Sequence, residues 1–314
     1  MPFGIDIFRT TERSGQEVIV GLSWDILLVF SFIATAIFLI HFILRELWNP
    51  TDHTESYVSE SKEEVQENLE SQGVDEVQRF TMAQRASHWI MAISIFLLLF
   101  SGFAIMNTAT TIKLIPGVSW LTIHIVAAIV LIGYVLFHVG HVAYKGTWGE
   151  MWFGLRDVKD LWLRFKNLIG MTDEYPRQFK YPSAQKFLHW SVTAASLGVI
   201  LTGFVLLRRV NLQPLWSATR EFTFLGVKFG LGTSDAAGLV SWSFVLHDLF
   251  AVSIFALIIG HVYFALRPNE WPITQSMITG RVPVEHYAEK YSPESWTVGG
   301  TTSPDGGEEE DDAD

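Results

Sequence analysis

Five long apolar stretches constrain the fold of this chain more than any other feature of its sequence. They lie at roughly 19–43, 86–107, 120–142, 187–207 and 243–266. A helix needs about 20 mostly apolar residues to cross the hydrocarbon core of a bilayer, and each stretch is long enough. The composition agrees, because 49% of the residues are hydrophobic and 12 are Trp. The sequence therefore predicts an all-α integral membrane protein with five transmembrane helices.

The Lys and Arg residues in the loops predict the orientation of these spans. The segment 144–186 carries eight of them, whereas the loop 108–119 carries only Lys113. The loop 208–241 carries four, which weakens the bias without reversing it. We therefore expect a protein of the cell's inner (cytoplasmic) membrane with its N-terminus outside and its C-terminus in the cytoplasm.

The net charge of −11 is concentrated in the segment 52–76 and in the C-terminal run GGEEEDDAD, which both predict solvated chain. No basic patch indicates nucleic acid as a partner. The absence of Cys excludes disulfides, thiolate-bound iron–sulfur clusters and covalently attached c-type haem in this chain. The stretch KDLWLRFKNLI at 159–169 predicts an amphipathic helix that lies on the lipid surface.

A duplication is visible in the four spans that follow the first. RFTMAQRASHW at 79–89 and KYPSAQKFLHW at 180–190 superimpose at an offset of 101 residues. Under the same offset SGF at 101–103 falls on TGF at 202–204. The repeat indicates a two-helix unit present twice, and it predicts a four-helix core built from spans two to five, with the first span as an extra helix.

Histidines at matched spacing lie inside these spans. His124 and His138 are fourteen residues apart, and so are His247 and His261. Fourteen residues of helix rise about 21 Å and return to within about 40° of the starting face, so each helix places one imidazole near either side of the bilayer. Ionisable side chains inside a membrane are functional hypotheses by default. Two layers of imidazoles in a four-helix bundle predict two b-type haems, each held by two histidines.

The inner layer has more histidines than one haem needs. His88 and His189 begin the other two core helices near the inner side, so His88, His138 and His189 are all candidate partners of His261. Helical phase and the internal symmetry favour His138. Gly102 and Gly203 leave room for a flat macrocycle or for a close approach of helices. The remaining histidines are predicted to be interfacial (His41 and His141) or to lie in a loop or tail without a functional signal (His53 and His286).

With these residues assembled, the chain resembles the cytochrome b (gamma) subunit of membrane-bound formate dehydrogenases. That subunit lies within the wider group of formate dehydrogenase and nickel–iron hydrogenase b-type cytochromes. The resemblance covers roughly residues 79–296. It rests on five segments: RASHW, IHIVAAIVLIGYVLF, KYPSAQKFLHW, LHDLFAVSIFALIIGHVYFAL and the tail MITGRVPVEHYAEKYSPESW.

The resemblance implies specific haem ligands. It implies His124 and His247 for the outer haem, and His88 and His261 for the inner one. The internal symmetry instead makes His138 the alternative partner of His261. No family ligand is expected at His138 itself, so the resemblance and the internal symmetry disagree about the inner layer.

The resemblance also implies a quinone pocket beside the inner haem, with Gln185 and His261 next to it. Pro182 stands where the family pattern often has Asn, which changes that part of the pocket. The predicted regions are an N-terminal segment with the extra helix (1–48), an acidic cytoplasmic linker (49–78), the di-haem domain (79–296) and a disordered acidic tail (297–314).

The function implied by the resemblance is transmembrane electron transfer. An iron–sulfur subunit and a catalytic molybdenum or tungsten subunit would be the partners, and menaquinone or ubiquinone the acceptor. The chain itself would carry no substrate chemistry beyond the quinone site. Two alternatives are a cytochrome b subunit of a nickel–iron hydrogenase or another molybdoenzyme, and a His-lined metal or proton transporter, for which acidic or broken-helix features at mid-bilayer are expected.

Overall fold

The computed structural model describes residues 7–13, 16–44, 61–107, 113–172, 178–207, 221–224, 227–230, 236–291, 296 and 298. The protein divides into two compact units. The first comprises Met1–Asn49, Ser94–Ile132 and His189–Tyr263, and the second comprises Pro50–Ile93, Gly133–Leu188 and Phe264–Asp314.

The described residues are mostly helical. Their α-helices are α1 (Trp24–Phe42), α2 (Ser61–Ser71), α3 (Met82–Met106), α4 (Trp120–Lys145), α5 (Leu155–Leu168), α6 (Ser183–Leu206), α7 (Ala236–Ala265), α8 (Trp271–Thr279) and α9 (Val284–Lys290). Five of them, α1, α3, α4, α6 and α7, are long and apolar enough to cross a membrane. The predicted fold class is confirmed in this respect.

In the part of the chain that the structure describes, six short strands accompany the helices and form three two-stranded antiparallel pairs. They are β1 (Phe8–Arg13) with β2 (Gln16–Leu22), β3 (Glu76–Gln78) with β6 (Arg281–Pro283), and β4 (Glu221–Phe224) with β5 (Val227–Gly230). The pattern of long apolar runs did not predict them, because strands this short have too little periodicity to stand out.

The helix boundaries differ from the predicted spans for two physical reasons. Helices α3 and α6 each begin four residues before the predicted start, because their polar entry residues are helical although they are not apolar. Helix α1 begins later than predicted, since residues 16–22 form β2 instead. Ser23 then caps α1, and its Oγ accepts a hydrogen bond from the Ile26 N–H at 3.2 Å.

In the first unit, the N-terminal hairpin and α1 pack along α7. A buried cluster joins the end of β2 and the start of α1 to α7, and it consists of Leu22, Leu27, Val245 and Val252. Towards the other end of α1, Phe38 lies against Gly260 and Tyr263, and Nδ1 of His41 hydrogen-bonds the Tyr263 hydroxyl. His41 was predicted to be interfacial, and it is in contact with α7. The remaining apolar side chains of α1 are largely exposed, as lipid-facing side chains are.

The second unit contains a small packed core. Strand β3 pairs with β6, and Val77, Val282, Tyr287, Tyr291 and Trp296 are buried together. Val65, Leu69 and Val74 pack against this core from α2 and the turn after it. The prediction of a wholly solvated segment at 52–76 was therefore wrong for residues 61–76, because the apolar side chains of this acidic stretch have a core to cover.

Helix α5 matches the predicted amphipathic segment. Its apolar side chains Leu155 and Trp162 are 84% and 60% exposed, whereas Asp157 is buried. Asp157 caps the helix start by accepting the Gly154 N–H at 2.9 Å, and it lies 3.2 Å from the ammonium of Lys186. Burial alone would raise the pKa of Asp157, but the Gly154 hydrogen bond and Lys186 outweigh it and lower the pKa below its ordinary value.

Candidate metal centre

Two of the predicted ligands, His124 on α4 and His247 on α7, come together in the first unit. The centroids of their imidazole rings are 6.3 Å apart, and the ring planes are inclined by 56°. A metal bound about 2 Å from one nitrogen of each of two opposed imidazoles would separate the ring centroids by about 6 Å. The spacing of the pair therefore fits a single metal ion held between the two rings.

A hydroxyl group fixes the protonation of His124. Ser101 Oγ lies 2.9 Å from Nδ1 of His124, and it also donates a hydrogen bond to the Leu97 carbonyl oxygen. A hydroxyl has only one hydrogen, so Ser101 accepts from the imidazole rather than donating to it. The proton of His124 is thus on Nδ1, which leaves the Nε2 lone pair for a metal.

The second copy of the repeat builds the same arrangement around His247. Thr202 Oγ1 lies 2.9 Å from Nδ1 of His247 and donates to the Gly198 carbonyl oxygen at 2.7 Å. Because the Thr202 hydroxyl uses its one hydrogen for Gly198, it accepts from the imidazole. The proton of His247 is therefore on Nδ1, which leaves the Nε2 lone pair for a metal. Both hydroxyls occupy the first position of the repeated SGF and TGF segments, so the sequence repeat and the geometry agree.

The glycine that follows each hydroxyl faces the same imidazole. A Cβ placed on Gly102 would lie 3.6 Å from Cε1 of His124, and one placed on Gly203 would lie 3.6 Å from Cε1 of His247. A methyl group at either position would touch the ring without overlap. The glycines thus accompany a close approach of each helix to the imidazole of the next one, and room for a flat macrocycle beside them stays a prediction.

The donor set indicates which kind of metal group fits. Among the described residues, no group of three or more His, Asp or Glu side chains is placed to hold a metal ion. A two-histidine site instead suits a metal that already has four ligands of its own, as the iron of a porphyrin does. Haem b therefore fits the His124–His247 pair, and the bound group supplies one-electron redox chemistry.

The histidines predicted for the second haem do not share one unit. His261 and His189 belong to the first unit, whereas His88 and His138 belong to the second. His138 stacks on Tyr134 with the ring centroids 5.7 Å apart, and His88 lies edge-on to Trp89. The ligand set of the inner layer stays a prediction. His53 lies outside the described residues, and His141 stacks on Phe137.

Gln185, the predicted quinone contact, is held by Arg79. The Nη2 of Arg79 donates to Oε1 of Gln185 at 3.2 Å, and the counterpart Gln84 donates to the Tyr181 hydroxyl at 3.4 Å. The entry segments of the two repeat copies therefore contact each other. Because Oε1 of Gln185 already accepts a hydrogen bond, its amide NH₂ is the group that remains for other contacts.

Two sets of buried polar residues were missed by the sequence analysis. The first set is the ion pair of Arg9 and Asp248, whose Nη2 and Oδ2 atoms are 3.0 Å apart although the residues are 239 positions apart in the sequence. The other surrounds His286, which was assigned no role and lies buried in the second unit. Burial, together with the positive charges of Lys290 and Arg79, lowers the pKa of His286 to about 3, so its imidazole is neutral at physiological pH.

A set of apolar spanning helices with two imidazoles at the separation of one metal defines a membrane cytochrome of the b type. Comparison with protein families agrees. The chain belongs to the prokaryotic cytochrome b561 family, whose model matches residues 79–280, more than half of its length. A comparison with curated proteins found no match. Membership implies that the protein binds haem b, transfers electrons to quinones and associates with hydrogenase or dehydrogenase subunits.

Proposed function

We propose that this chain is the membrane-anchoring, di-haem cytochrome b subunit of a formate dehydrogenase-type complex. It carries electrons between an iron–sulfur partner on the outer side of the membrane and the quinone pool near the inner side. The observation that carries the proposal is the His124–His247 pair, with a ring separation of 6.3 Å and both Nδ1 atoms bound to hydroxyls. The family supports the cytochrome function, and the motifs at 79–296 support the formate dehydrogenase type.

The chain's own residues have distinct roles in this proposal. His124 and His247 hold the outer haem, while His88 and His261 hold the inner one, with His138 as the alternative partner of His261. Ser101 and Thr202 keep the two outer imidazoles in the tautomer and orientation that ligation needs. Apolar helix faces keep water away from the site, and this burial is one of the factors that set a haem potential.

Gln185 and His261 are proposed to lie beside the quinone. Arg79 donates to Oε1 of Gln185, so the amide NH₂ of Gln185 is the group that can donate to a ligand. A quinone carbonyl oxygen is a suitable acceptor. Protons for quinone reduction are taken from the inner side, so the reaction separates charge across the membrane. Menaquinone and ubiquinone both offer the carbonyl oxygens that this contact needs.

Visible spectroscopy tests the cytochrome function directly. The purified chain should give a reduced-minus-oxidised spectrum of b type, and a pyridine haemochrome assay should give about two haems per polypeptide. One haem per chain in an intact preparation would contradict the two-layer arrangement. No haem at all would contradict the cytochrome assignment for this protein.

A reporter fusion tests the proposed orientation. A reporter that is active only in the cytoplasm should work when it is fused after Asp314 and should fail when it is fused within 108–119. The reverse pattern would overturn both the orientation and the proposed direction of electron flow.

A nickel–iron hydrogenase, or another molybdoenzyme, is the second candidate for the partner complex. The family itself favours it, since it includes the hydrogenase type of cytochrome b. Membranes that contain the native complex distinguish the candidates by their electron donor. Reduction of the b haems by formate and not by hydrogen supports the first proposal, and the opposite result supports the hydrogenase.

A further inference from the structure

The N-terminal hairpin makes a specific polar contact with α7 directly after the ligand His247. Oδ2 of Asp248 accepts a hydrogen bond from the Leu22 N–H at 2.9 Å and another from Nη2 of Arg9 at 3.0 Å. The Nε of Arg9 donates to the Leu22 carbonyl oxygen at 2.6 Å. One carboxylate is therefore held by a backbone amide and a guanidinium, and the guanidinium is fixed by the same backbone segment.

Gly21 shows that the hairpin is shaped around this contact. Its φ of +142° lies in the region that favours glycine. A Cβ at this position would collide with both the Asp248 carboxylate and the Arg9 guanidinium. The two charged side chains are only 11% and 23% exposed, and the adjoining apolar cluster of the first unit holds β2 against α7.

This pair is attached to α7 at the residue that directly follows the proposed ligand His247. Asp248 is its neighbour along α7, and an ionised carboxylate among apolar helices needs a cation and hydrogen bonds to be tolerated. A negative charge near an iron centre stabilises the ferric state and lowers the reduction potential, and a positive charge does the opposite. Arg9 therefore offsets at the iron the effect that Asp248 has alone.

This arrangement is absent from the other copy of the repeat. The offset that carries His124 onto His247 carries Ile125 onto Asp248, so the first copy has an apolar residue there. Arg9 and Leu22 also lie outside residues 79–280, the part of the chain that the family model matches. A segment outside the cytochrome domain therefore supplies a charge to one ligand helix only.

We propose that Arg9 and Asp248 form a charge-compensated pair that positions the α7 ligand and sets the reduction potential of the His124–His247 haem. The N-terminal hairpin is thus a tuning element of this centre and not only an additional anchor. The inference rests on the proposed function in one respect, which is that a haem is held by these two histidines. Arg9 and Asp248 act through His247 and the field at the iron, so they are positioning residues.

The test uses the full haem-loaded chain and three variants: Arg9→Ala, Asp248→Asn and the double variant. Potentiometric titration of the visible spectrum gives the midpoint potential of the His124–His247 haem, which is recognised as the component that His124→Ala lacks. Lys113→Ala is the matched control, because it removes one exposed cation from the same unit. The haem count is measured on every sample.

We expect a lower potential in Arg9→Ala, a higher one in Asp248→Asn and an intermediate one in the double variant, with Lys113→Ala unchanged. Asp248→Asn keeps the shape of the side chain and can still accept the Leu22 N–H, so it decides the matter if Arg9→Ala does not fold. An unshifted or lowered potential in Asp248→Asn overturns the inference. Loss of the haem count in the unmodified chain would instead contradict the proposed function, so the two failures are distinguishable.

Discussion

The two copies of the repeat match around His124 and His247 and differ in the surroundings of Arg79 and Lys180, the first residues of their entry segments. Around the His124–His247 pair, each copy supplies a hydroxyl at 2.9 Å from Nδ1 and a glycine on which a Cβ would lie 3.6 Å from Cε1. At the entries, Arg79 is buried beside His286, whereas its counterpart Lys180 is 31% exposed and lies 3.8 Å from Glu150.

The difference teaches which parts of the duplicated unit a metal centre keeps constant. Ligation of a metal by an imidazole needs one tautomer, one orientation and an accessible Nε2, and small errors in any of them weaken binding. The entries have no common ligand, so each one is free to suit its own surroundings. The first entry packs against the C-terminal segment, and the second forms a partly exposed ion pair.

The strongest test of this comparison removes the ligands that both copies supply. His124→Ala and His247→Ala should each lose the His124–His247 haem completely and keep the other haem, because either change leaves one axial position open. Pyridine haemochrome assay and the reduced spectrum measure the loss. Two haems with an unchanged spectrum in either variant would show that the pair does not bind haem.

The inner layer tests whether symmetry or resemblance is the better guide. We expect His88→Ala to lose the inner haem and quinone reduction together, since RASHW matches the ligand motif of the formate dehydrogenase subunits. His138→Ala should keep both haems and change at most the inner potential or the apparent affinity for quinone. Haem loss on His138→Ala, with both haems retained on His88→Ala, would show that the duplication extends to the inner ligands.

The hydroxyls should have smaller effects that are equal in the two copies. Ser101→Ala and Thr202→Val remove the acceptor for the Nδ1 proton, and each should weaken haem binding by about 10-fold. Haem titration of the apoprotein measures the affinity, and Ser253→Ala on α7 is a control whose hydroxyl bonds the Leu249 carbonyl. A large effect in one copy alone would show that the two hydroxyls contribute unequally to haem binding although their geometry is the same.

The smallest expected effect concerns the entry that diverged. The pKa of His286 is lowered from 6.5 to about 3, so below about pH 6.5 the unfolded segment binds a proton that the folded one does not. The free energy of unfolding of this core should therefore decrease as the pH is lowered below about 6.5.

Amide hydrogen exchange at α9, corrected for intrinsic rates, measures this opening at two pH values. His286→Gln should flatten the dependence, because no group with a shifted pKa remains at that position. A pH dependence that is as steep in His286→Gln as in the unmodified protein would assign the effect to another group.

The sequence predicted what repeats or extends over many residues. The five spanning helices follow from apolar runs of about 20 residues. The fourteen-residue spacings that begin at His124 and His247 predicted that these two imidazoles lie in one layer. The hydroxyls of Ser101 and Thr202 stand in the aligned SGF and TGF segments, so their signal was present. The glycines of those segments predicted a close approach of helices, whereas the hydroxyls carry no recognisable signal when each segment is taken alone.

The remaining features had no local signal. Arg9 and Asp248 are 239 residues apart, and neither belongs to a motif that indicates the other. The core around His286 depends on two strands of three residues each, which are too short to show a period. Its apolar residues, such as Val77 and Val282, are isolated in polar surroundings, and only the folded pairing brings them together.

The hydroxyl–imidazole contacts also have a consequence for biosynthesis. Each contact joins consecutive spanning helices, α3 to α4 in one copy and α6 to α7 in the other. We therefore expect each helical hairpin to leave the translocon with its ligand imidazole already turned and protonated for iron. Haem binding by this pair then requires only that the second hairpin pack against the first. The insertion of the last helices would therefore determine when the apoprotein can bind haem.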